Sequence, residues 1–331
     1  MEHSNPLSHP QRPNLRKVNH ISLKPGMSVN ALVQTMADSG VMGAGKIGQA
    51  VNIAEAMIKD PQCKVFLGVA GAMIPGGMRQ ILIDMVEEGM VDVVVTTGAT
   101  LTHDLVETLG YHHYQGTAHV DDAALHQQQY DRMYDSYMPN EVYEGMEDFF
   151  SKNWEHLAQQ PMNIREFLWK IGELLQSNTE KSYPNSFLGA CFRKKVPLFC
   201  PAIADSGIGL MIWGRLAQGK KIQVAVFDDL KEMMDLAWDA EHAGVFYMGG
   251  GVPKNYIQQA MQMAPKSAEY GIQITMDRPE PGGSSGAPLK EGISWGKMNY
   301  EAKHVDVICD ATIALPLIVG ALKERLTSGK K

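Results

Sequence analysis

The sequence lacks several features that would assign a protein class at once. No stretch of about 18 or more residues is free of polar interruption, which argues against a membrane-spanning helix. The first 20 residues are polar and contain no apolar segment, so we expect no secretory signal there. The net charge of −7 is spread along the chain without a long basic run, and a nucleic-acid-binding surface is therefore not expected.

Cysteines and metal-binding patterns are also scarce. The four cysteines, which lie in apolar segments without CxxC spacing, are Cys63, Cys191, Cys200 and Cys309. They predict buried free thiols in a reducing compartment such as the cytoplasm. None of the eleven histidines belongs to an HExxH pattern, so we expect no metal site.

What the sequence does contain is an alternation of helical patterns with short β-branched runs. After an N-terminal arm at residues 1–27, helical patterns cover residues 28–38, 46–59, 76–90 and 102–109. The β-branched runs fall at residues 64–69, 91–97, 196–202, 221–228, 244–250, 270–276 and 305–311. Such an alternation predicts an α/β fold, in which helices cover both faces of a mostly parallel sheet. Residues 121–190 are polar and strandless, and we expect them to be a helical insertion within one domain spanning residues 28–331.

The segment from Gly43 to Gly48 matches the pattern G-x-G-x-x-G. A dinucleotide-binding loop of this type lies between a strand and a helix. The residues before Gly43 have a helical pattern, so the required strand is missing. We therefore favour a turn between two helices over a phosphate-binding loop.

Small and polar residues follow several of the predicted strands. In a parallel sheet the ligand crevice lies beyond the carboxyl ends of the strands. The residues at these positions that suit a ligand are Thr97, Gly98, Asp205, Gly249, Gly250 and Asp310. Any one of them could belong to a plain turn, and Asp310 could equally cap the next helix or bond a ribose hydroxyl or an amine. Their repetition at successive strand ends favours a ligand site.

The most distinctive segment begins with a flexible loop at residues 282–286 and continues through Glu291, Trp295 and Lys297. In an extended stretch the side chains of Trp295 and Lys297 would point to the same side. A lysine held against an indole loses hydration, which favours the free amine that Schiff-base chemistry needs. On spacing alone, a solvated lysine beside a core tryptophan is the stronger interpretation.

Six segments, in order along the chain, resemble the deoxyhypusine synthase family. They are MVDVVVTTGA at 90–99, CPAIADSGIG at 200–209, GGGVPK at 249–254, SSGA at 284–287, ISWGKM at 293–298 and VICDATIALPLIV at 307–319. The resemblance runs from about residue 20 to residue 325 and implies a single Rossmann-like domain, NAD as cofactor and a homotetramer with active sites at a dimer interface. It also implies a reaction in which NAD oxidises spermidine to an imine. The aminobutyl group then passes through a Schiff base on a lysine to an acceptor amine, and NADH reduces the new imine.

The resemblance also implies roles for individual residues. Lys297 matches the covalent lysine, and Trp295, Glu291 and Ser285 match residues that bind the polyamine. Asn255 occupies a fourth substrate position. Together with the strand-end glycines, the expected NAD-binding residues are Thr97, Gly98, Asp205, Gly249, Gly250, Asp310 and Ala311.

Several positions depart from the family pattern. Leu210 and Ser284 replace two aspartates, Asn255 replaces a proton-transferring histidine, Gln259 replaces an asparagine, and Thr102 and His103 replace two glutamates near the cofactor. Each ammonium group of spermidine needs a carboxylate or equivalent partner, and a loss of ~3 kcal/mol would weaken binding about a hundredfold. The sequence therefore predicts a donor amine other than spermidine, or weak use of spermidine. The acceptor is a protein lysine or a small amine. The alternatives are a homospermidine synthase and an NAD-binding protein without turnover.

Overall fold

A computed structural model describes residues 15–177 and 186–328. Residues 1–14 of the predicted arm and residues 178–185 of the predicted insertion lie outside this part of the chain. The rest of the arm, residues 15–27, forms neither helix nor strand.

The elements of the described residues alternate along most of the chain. The helices are α1 (Val29–Ser39), α2 (Met42–Lys59), α3 (Arg79–Glu87), α4 (Gly98–Thr108), α5 (Asp122–Gln127), α6 (Glu141–Leu157), α7 (Ile164–Ser177), α8 (Phe187–Lys194), α9 (Gly207–Ala217), α10 (Val226–Trp238), α11 (Gly251–Met263), α12 (Glu291–Ser294) and α13 (Ala311–Ser328). The strands are β1 (Cys63–Val69), β2 (Val93–Thr96), β3 (Tyr114–Gln115), β4 (Tyr130–Met133), β5 (Ser136–Pro139), β6 (Met162–Asn163), β7 (Leu198–Phe199), β8 (Val224–Ala225), β9 (His242–Met248), β10 (Ala268–Thr275) and β11 (Met298–Ile308).

Six strands form the central sheet in the order β11-β10-β9-β1-β2-β7. All five neighbouring pairs are parallel, as in the register that sets Val69 of β1 beside Thr96 of β2 and Met248 of β9. The order reverses between β1 and β9, so the chain winds outward from the centre in both directions. This is the strand order of a Rossmann fold, and the predicted fold class is confirmed.

Helices cover both faces of this sheet. Alternate residues of a strand point to opposite faces, and in β1 Phe66 joins one apolar cluster whereas Leu67 joins the other. The first cluster includes Met233 of α10 and Ile257 of α11. The larger second cluster includes residues of α1, α2, α3 and α13, among them the buried Val33. The sheet therefore lies inside the molecule, and only its carboxyl edge and flanks are open to a ligand.

The segment with the G-x-G-x-x-G pattern lies in the first turns of α2. Helix α1 ends at Gly40, whose φ is +71°, and α2 begins two residues later without an intervening strand. A Cβ atom on Gly48 would lie 2.4 Å from the Cβ of Ala37, which is closer than two carbon atoms can approach. The glycines thus allow α1 and α2 to pack together. The predicted junction of two helices without a strand is observed, but the turn itself lies at Gly40 and Val41, before the glycine pattern and not within it.

The prediction of a sheet strand at residues 221–228 is wrong. Only Val224 and Ala225 are in a strand, β8, and this strand pairs with β6 outside the central sheet. Helix α10 begins at Val226 and carries Asp228 and Asp229 in its first turn. Carboxylates favour the N-terminus of a helix because they offset its positive end. The apolar run is therefore divided between a short strand and a helix.

The prediction that residues 121–190 contain no strand is also wrong. Strands β4 and β5 form an antiparallel hairpin, and β3 pairs with β5 at its edge. Tyr134 lies in the turn between β4 and β5 with a φ of +58°. The helical part of the prediction holds for α5, α6 and α7, and α6 buries Phe150 and Trp154.

The four cysteines are free thiols, as predicted. Cys191 and Cys200 are buried, and burial raises the pKa of the Cys200 thiol to about 12. Cys63 and Cys309 are only partly buried, so full burial holds for two of the four. Within residues 15–177 and 186–328, no helix combines the length and apolar character needed to cross a bilayer.

Candidate active site

The segment that contains Trp295 and Lys297 is a helix-ending turn. The amide of Lys297 donates to the carbonyl of Gly292 at 2.8 Å, and the amide of Gly296 donates to the carbonyl of Ile293 at 3.1 Å. These two bonds, with a left-handed residue between them, define a Schellman motif. Gly296 has a φ of +69°, which a residue with a side chain rarely adopts. The prediction of an extended stretch is therefore wrong.

The turn nevertheless places the two predicted side chains together. The Nζ atom of Lys297 lies 4.7 Å from the centre of the Trp295 ring, within the range of a cation–π contact. Trp295 is 57% exposed, so it is a surface platform and not a core residue. In the two described ranges of the chain, no residue accepts a hydrogen bond from Nζ of Lys297. The amine is thus held against the indole without a hydrogen-bond acceptor among the described residues.

Lys297 opens into a cavity of about 140 Å³ on the flank of α11. The residues that line it are Lys254, Asn255, Gln258, Gly282, Ser284, Ala287, Pro288, Glu291, Gly292, Trp295 and Lys297. Four of the predicted catalytic and substrate-binding residues, namely Lys297, Trp295, Glu291 and Asn255, therefore meet in one cavity. A cavity of this size fits part of a small amine.

Ser285, the fifth residue of that set, lies behind the cavity wall. Its hydroxyl accepts a hydrogen bond from the amide of Gly251 at 3.0 Å. A Cβ atom on Gly250 would lie 2.3 Å from the Cα of Ser285, so only glycine permits this approach. Ser285 and Gly250 therefore attach the 282–286 loop to the start of α11.

Lys254 is a member of the cavity that the sequence analysis missed. Its side chain is almost fully buried, and Nζ donates to Oε1 of Gln273 at 2.7 Å and to the carbonyls of Ser284 at 2.8 Å and Ala287 at 2.5 Å. Burial lowers the pKa of the Lys254 ammonium group to about 8. The available signal was its position in α11 between the buried Pro253 and Ile257.

The cavity offers fewer carboxylates than a bound polycation would require. The lining contains two amines, those of Lys254 and Lys297, and one carboxylate, that of Glu291. Asp306 is close enough to raise the pKa of Lys254, but it is not part of the lining. Leu210 does not reach this cavity and instead lines an apolar cavity of about 510 Å³ between α7 and α9.

The predicted cofactor residues lie along the carboxyl edge of the sheet. Thr97 follows β2 and caps α4, because its hydroxyl accepts from the amide of Thr100 at 3.3 Å. A Cβ on Gly98 would lie 2.4 Å from the Cβ of Ser206 and 3.3 Å from the carbonyl oxygen of Asp205. The structure therefore brings Thr97, Gly98 and Asp205 together.

At the other end of this edge, Asp310 directly precedes Ala311, the first residue of α13. The Oδ1 atom of Asp310 accepts hydrogen bonds from the amide of Thr312 at 2.7 Å and from its hydroxyl at 2.6 Å. Asp310 is therefore the N-cap of α13, one of the two roles that the sequence left open. It is exposed, so this capping role does not block contact with a ligand.

The loop after β1 also belongs to this edge and was missed. It contains Gly71 and Gly77, whose φ values are +82° and +83°. A Cβ on Gly249 would lie 3.4 Å from the Cβ of Ala70, so the loops after β1 and β9 face each other where the strand order reverses. Rossmann folds bind dinucleotides at this point, and glycine lets the backbone approach a pyrophosphate. A Cβ on Gly77 would have no atom within 4 Å, so these residues fit NAD.

Comparisons with known proteins decide the family. A family model described as deoxyhypusine synthase matches residues 31–322. The chain belongs to the deoxyhypusine synthase family. It is 45% identical over 303 residues to the protein named "Probable deoxyhypusine synthase 1" of Methanosarcina acetivorans, covering 92% of this chain and 93% of the relative. The protein of the same name in Archaeoglobus fulgidus is 38% identical over 93% of this chain and 98% of its own length.

A solved structure agrees with this assignment at the level of the fold. The crystal structure of an Entamoeba histolytica protein assigned to deoxyhypusine synthase matches with a TM-score of 0.64 and 19% identity. The match covers 90% of this chain and 94% of the other.

In this member of the deoxyhypusine synthase family, one chain does not unite the two groups of predicted residues. The lining of the cavity at Lys297 includes none of the predicted cofactor residues that follow β2, β7 and β11. These residues are Thr97, Gly98, Asp205, Asp310 and Ala311. The contact between Gly250 and Ser285 is the connection between the edge of the sheet and the cavity wall. Each chain therefore carries the cavity at Lys297, termed the amine cavity, and, apart from it, the predicted cofactor residues of the sheet edge, termed the dinucleotide crevice.

Proposed function

We propose that this protein is an NAD-dependent transferase that moves an aminoalkyl group, as an imine on Lys297, to an acceptor amine. Family membership supports the transferase class. The observation that carries the finer proposal is the Lys297 amine, which lies over the indole of Trp295 and opens into a cavity, with no hydrogen-bond acceptor among the described residues. An amine in this state can act as a nucleophile.

The proposed role of each group follows from its position. NAD, when bound at the carboxyl edge of the sheet, supplies the acceptor for a hydride. Loss of that hydride from the carbon next to the donor nitrogen leaves a carbon–nitrogen double bond. Lys297 Nζ attacks this carbon, the bond to the donor nitrogen breaks, and the released amine takes the proton that Nζ gives up. The acceptor amine then displaces Lys297 in the same way. Return of the stored hydride to the new carbon–nitrogen double bond would give the product amine and regenerate the oxidised cofactor.

The charges of the cavity support a donor with fewer positive charges than spermidine. Glu291 can pair with one ammonium group, whereas Asn255, Gln258 and Ser284 offer only neutral hydrogen-bonding groups. An unpaired ammonium group in a confined site costs several kcal/mol. We propose a donor with one cationic end at Glu291 and a neutral or hydrogen-bonding remainder.

We further propose that a second copy of the chain completes the site, as the family resemblance implies. The separation of the amine cavity from the dinucleotide crevice within one chain supports this proposal. So does the exposed apolar surface of α9, where Leu210 is 56%, Trp213 67% and Leu216 47% exposed. Burial of such a surface between copies would stabilise an oligomer.

A panel of amines tests the proposal. The wild-type protein is mixed with NAD and, in turn, spermidine, putrescine and amines that have a single charge, and the absorbance of NADH is followed. We expect a singly charged donor to give NADH faster than spermidine does, and the Lys297→Arg variant to transfer no aminoalkyl group. Failure of every amine to yield NADH would refute the proposed transferase. A clear preference for spermidine would refute the proposed donor class alone.

A further inference from the structure

A chain of hydrogen-bonded ionisable groups runs along α4 and is not used by the function proposed above. Oε1 of Glu107 is 2.6 Å from Nδ1 of His113 and accepts from the His113 amide at 2.9 Å. Nε2 of His113 is in turn 2.9 Å from Nδ1 of His103. The side chain of His113 is only 6% exposed. Glu107, His113 and His103 therefore form a continuous relay.

The charge on Glu107 orients the proton of the His113 ring. Burial tends to raise the pKa of Glu107, but the hydrogen bonds from His113 outweigh it and bring the pKa down to about 2. An ionised carboxylate only accepts, so His113 donates from Nδ1, and in the neutral form of His113 the Nε2 atom carries a lone pair. His103 must then donate from Nδ1. The remaining nitrogen, Nε2 of His103, presents a lone pair as a proton acceptor.

His103 keeps this lone pair over the physiological range. Burial, followed by the neighbouring His113, lowers the pKa of His103 to about 4. Throughout residues 15–177 and 186–328, no group forms a hydrogen bond with Nε2 of His103. The other ionisable side chain in contact with the relay is the exposed His112, whose Nδ1 is 3.3 Å from Oε2 of Glu107. The accepting end of the relay is thus unoccupied by protein.

The relay is oriented toward the carboxyl edge of the sheet. Ala99, His103 and Glu107 are spaced four residues apart and share one face of α4. Side chains on a helix lean toward its N-terminus, so Glu107 leans toward His103 and His103 leans toward Ala99. Helix α4 begins at Gly98, directly at the dinucleotide crevice. Ala99 is exposed and has a small side chain, and His103 is only partly buried.

We propose that His103 accepts the proton that the donor ammonium group must lose before oxidation, with His113 and Glu107 as positioning residues. This inference rests on the proposed function. The N–H bond of the donor breaks, Nε2 of His103 takes the proton, and the nitrogen lone pair then forms the double bond as a hydride leaves the adjacent carbon for NAD. The Nδ1 proton of His103 can shift to His113, whose charge Glu107 stabilises. In the site that two copies are proposed to form, His103 at the crevice of one copy serves the cavity of the other, where Asn255 cannot act as a base.

The first test uses the protein without cofactor and reads the protons directly. Nitrogen NMR of labelled histidine distinguishes the two neutral ring forms. We expect the wild type to hold the proton on Nδ1 in both His113 and His103, and Glu107→Gln to abolish this fixed arrangement. His112→Gln, at an exposed ring, should leave it unchanged. A wild-type His113 protonated on Nε2 would overturn the relay.

The second test measures NADH formation with a donor amine that the wild type uses. His103→Ala should lower the rate about a hundredfold, which is typical for loss of a general base, and added imidazole should restore part of it. Glu107→Gln should lower the rate less, and its folding is checked by chemical unfolding. An active wild type with an unimpaired His103→Ala variant would refute the relay alone. No NADH from the wild type with any amine would instead refute the proposed transferase.

Discussion

Lys254 and Lys297 line the same cavity, but their amines differ in burial and in hydrogen bonding. Lys254 is buried, and each of its three ammonium protons has an acceptor on Gln273, Ser284 or Ala287. Lys297 is half-buried, lies over an indole, and has no such acceptor in the part of the chain that the structure describes. The ammonium group of Lys254 is fully hydrogen-bonded within the fold, whereas the amine of Lys297 remains available to react.

The difference shows that burial alone does not identify a reactive lysine. Burial lowers the pKa of Lys254 to about 8, yet its hydrogen bonds hold the 282–286 loop against α11 and β10. A group whose every donor is satisfied contributes stability, because removing it leaves buried acceptors unpaired. A nucleophilic lysine instead needs an amine that is not hydrogen-bonded to other residues. Substitutions at five positions can break or sharpen this distinction, namely Lys297, Lys254, Asp229, Asp104 and Ser284.

The largest effect is expected at Lys297. Lys297→Arg keeps the positive charge over Trp295 but removes the nucleophile, so transfer to an acceptor amine should fall on the order of 10³-fold or more. The free energy of unfolding should change by less than about 0.5 kcal/mol, because no hydrogen bond is lost. Product analysis and urea unfolding measure the two quantities. Retained transfer would show that the distinction between the lysines is wrong.

At Lys254 the principal effect should be on stability. Lys254→Met keeps the length of the side chain but leaves three acceptors unpaired, and we expect a loss of about 2–4 kcal/mol in the free energy of unfolding. Urea unfolding at a fixed protein concentration measures it. Lys290→Met, at an exposed lysine near the same cavity, is the matched control and should be neutral. A stable Lys254→Met variant without any Lys297 adduct would reverse the assigned roles.

Two buried carboxylates extend the same contrast. Both oxygens of Asp104 are bonded, to Arg79, Ser186 and the amides of Phe187 and Leu188. Asp229 has one oxygen bonded to the Arg165 amide, and its other oxygen, Oδ2, has no hydrogen-bond partner among the residues that the structure describes. Burial raises the pKa of Asp229 to about 6 from its ordinary value of 3.8.

A raised pKa means that the folded protein binds the proton of Asp229 more tightly than the unfolded chain does. Its contribution to stability is complete below pH ~4 and is lost as the pH rises through ~6. Asp229→Asn, which is neutral at every pH, should therefore stabilise the protein by about 1–3 kcal/mol at pH 7 and by less at pH 5. Unfolding at both pH values measures the effect. Asp104→Asn should destabilise instead, and equal effects at the two sites would contradict the contrast.

The smallest effect is expected from restoring a carboxylate to the amine cavity. Ser284→Asp adds a second negative charge opposite Glu291 and should strengthen spermidine binding about tenfold. Titration calorimetry with spermidine measures the change, and Ser284→Asn is the control of equal size without the charge. Equal affinities for the two variants would show that missing carboxylates do not determine the choice of donor.

The sequence was sufficient for those features that depend on local pattern. Fully apolar runs predicted the buried strands, and the missing strand before Gly43 excluded a phosphate-binding loop. The prediction of a strand at residues 221–228 was wrong because an apolar run of that length suits the start of a helix as well as a strand. The hairpin of β4 and β5 was missed because its aromatic, polar residues were assigned to helices as a group.

In the site, the sequence predicted the pairing of Trp295 with Lys297 but not its geometry, because a left-handed Gly296 cannot be inferred from spacing. The partners of Lys254 come from β10 and from the 282–287 segment, so its burial depends on tertiary contacts. His103 and His113 are likewise ten residues apart and meet only because the chain turns back after α4. Such contacts require the folded chain.

The central claim, that Lys297 is the covalent nucleophile, is tested most directly by reductive trapping. Wild-type protein is incubated with NAD and an amine that yields NADH, treated with borohydride, digested and analysed by mass spectrometry. We predict an added aminoalkyl mass on the peptide that contains Lys297 and none on the peptide that contains Lys254. An adduct on Lys254, or steady NADH formation without an adduct on Lys297, would contradict this account.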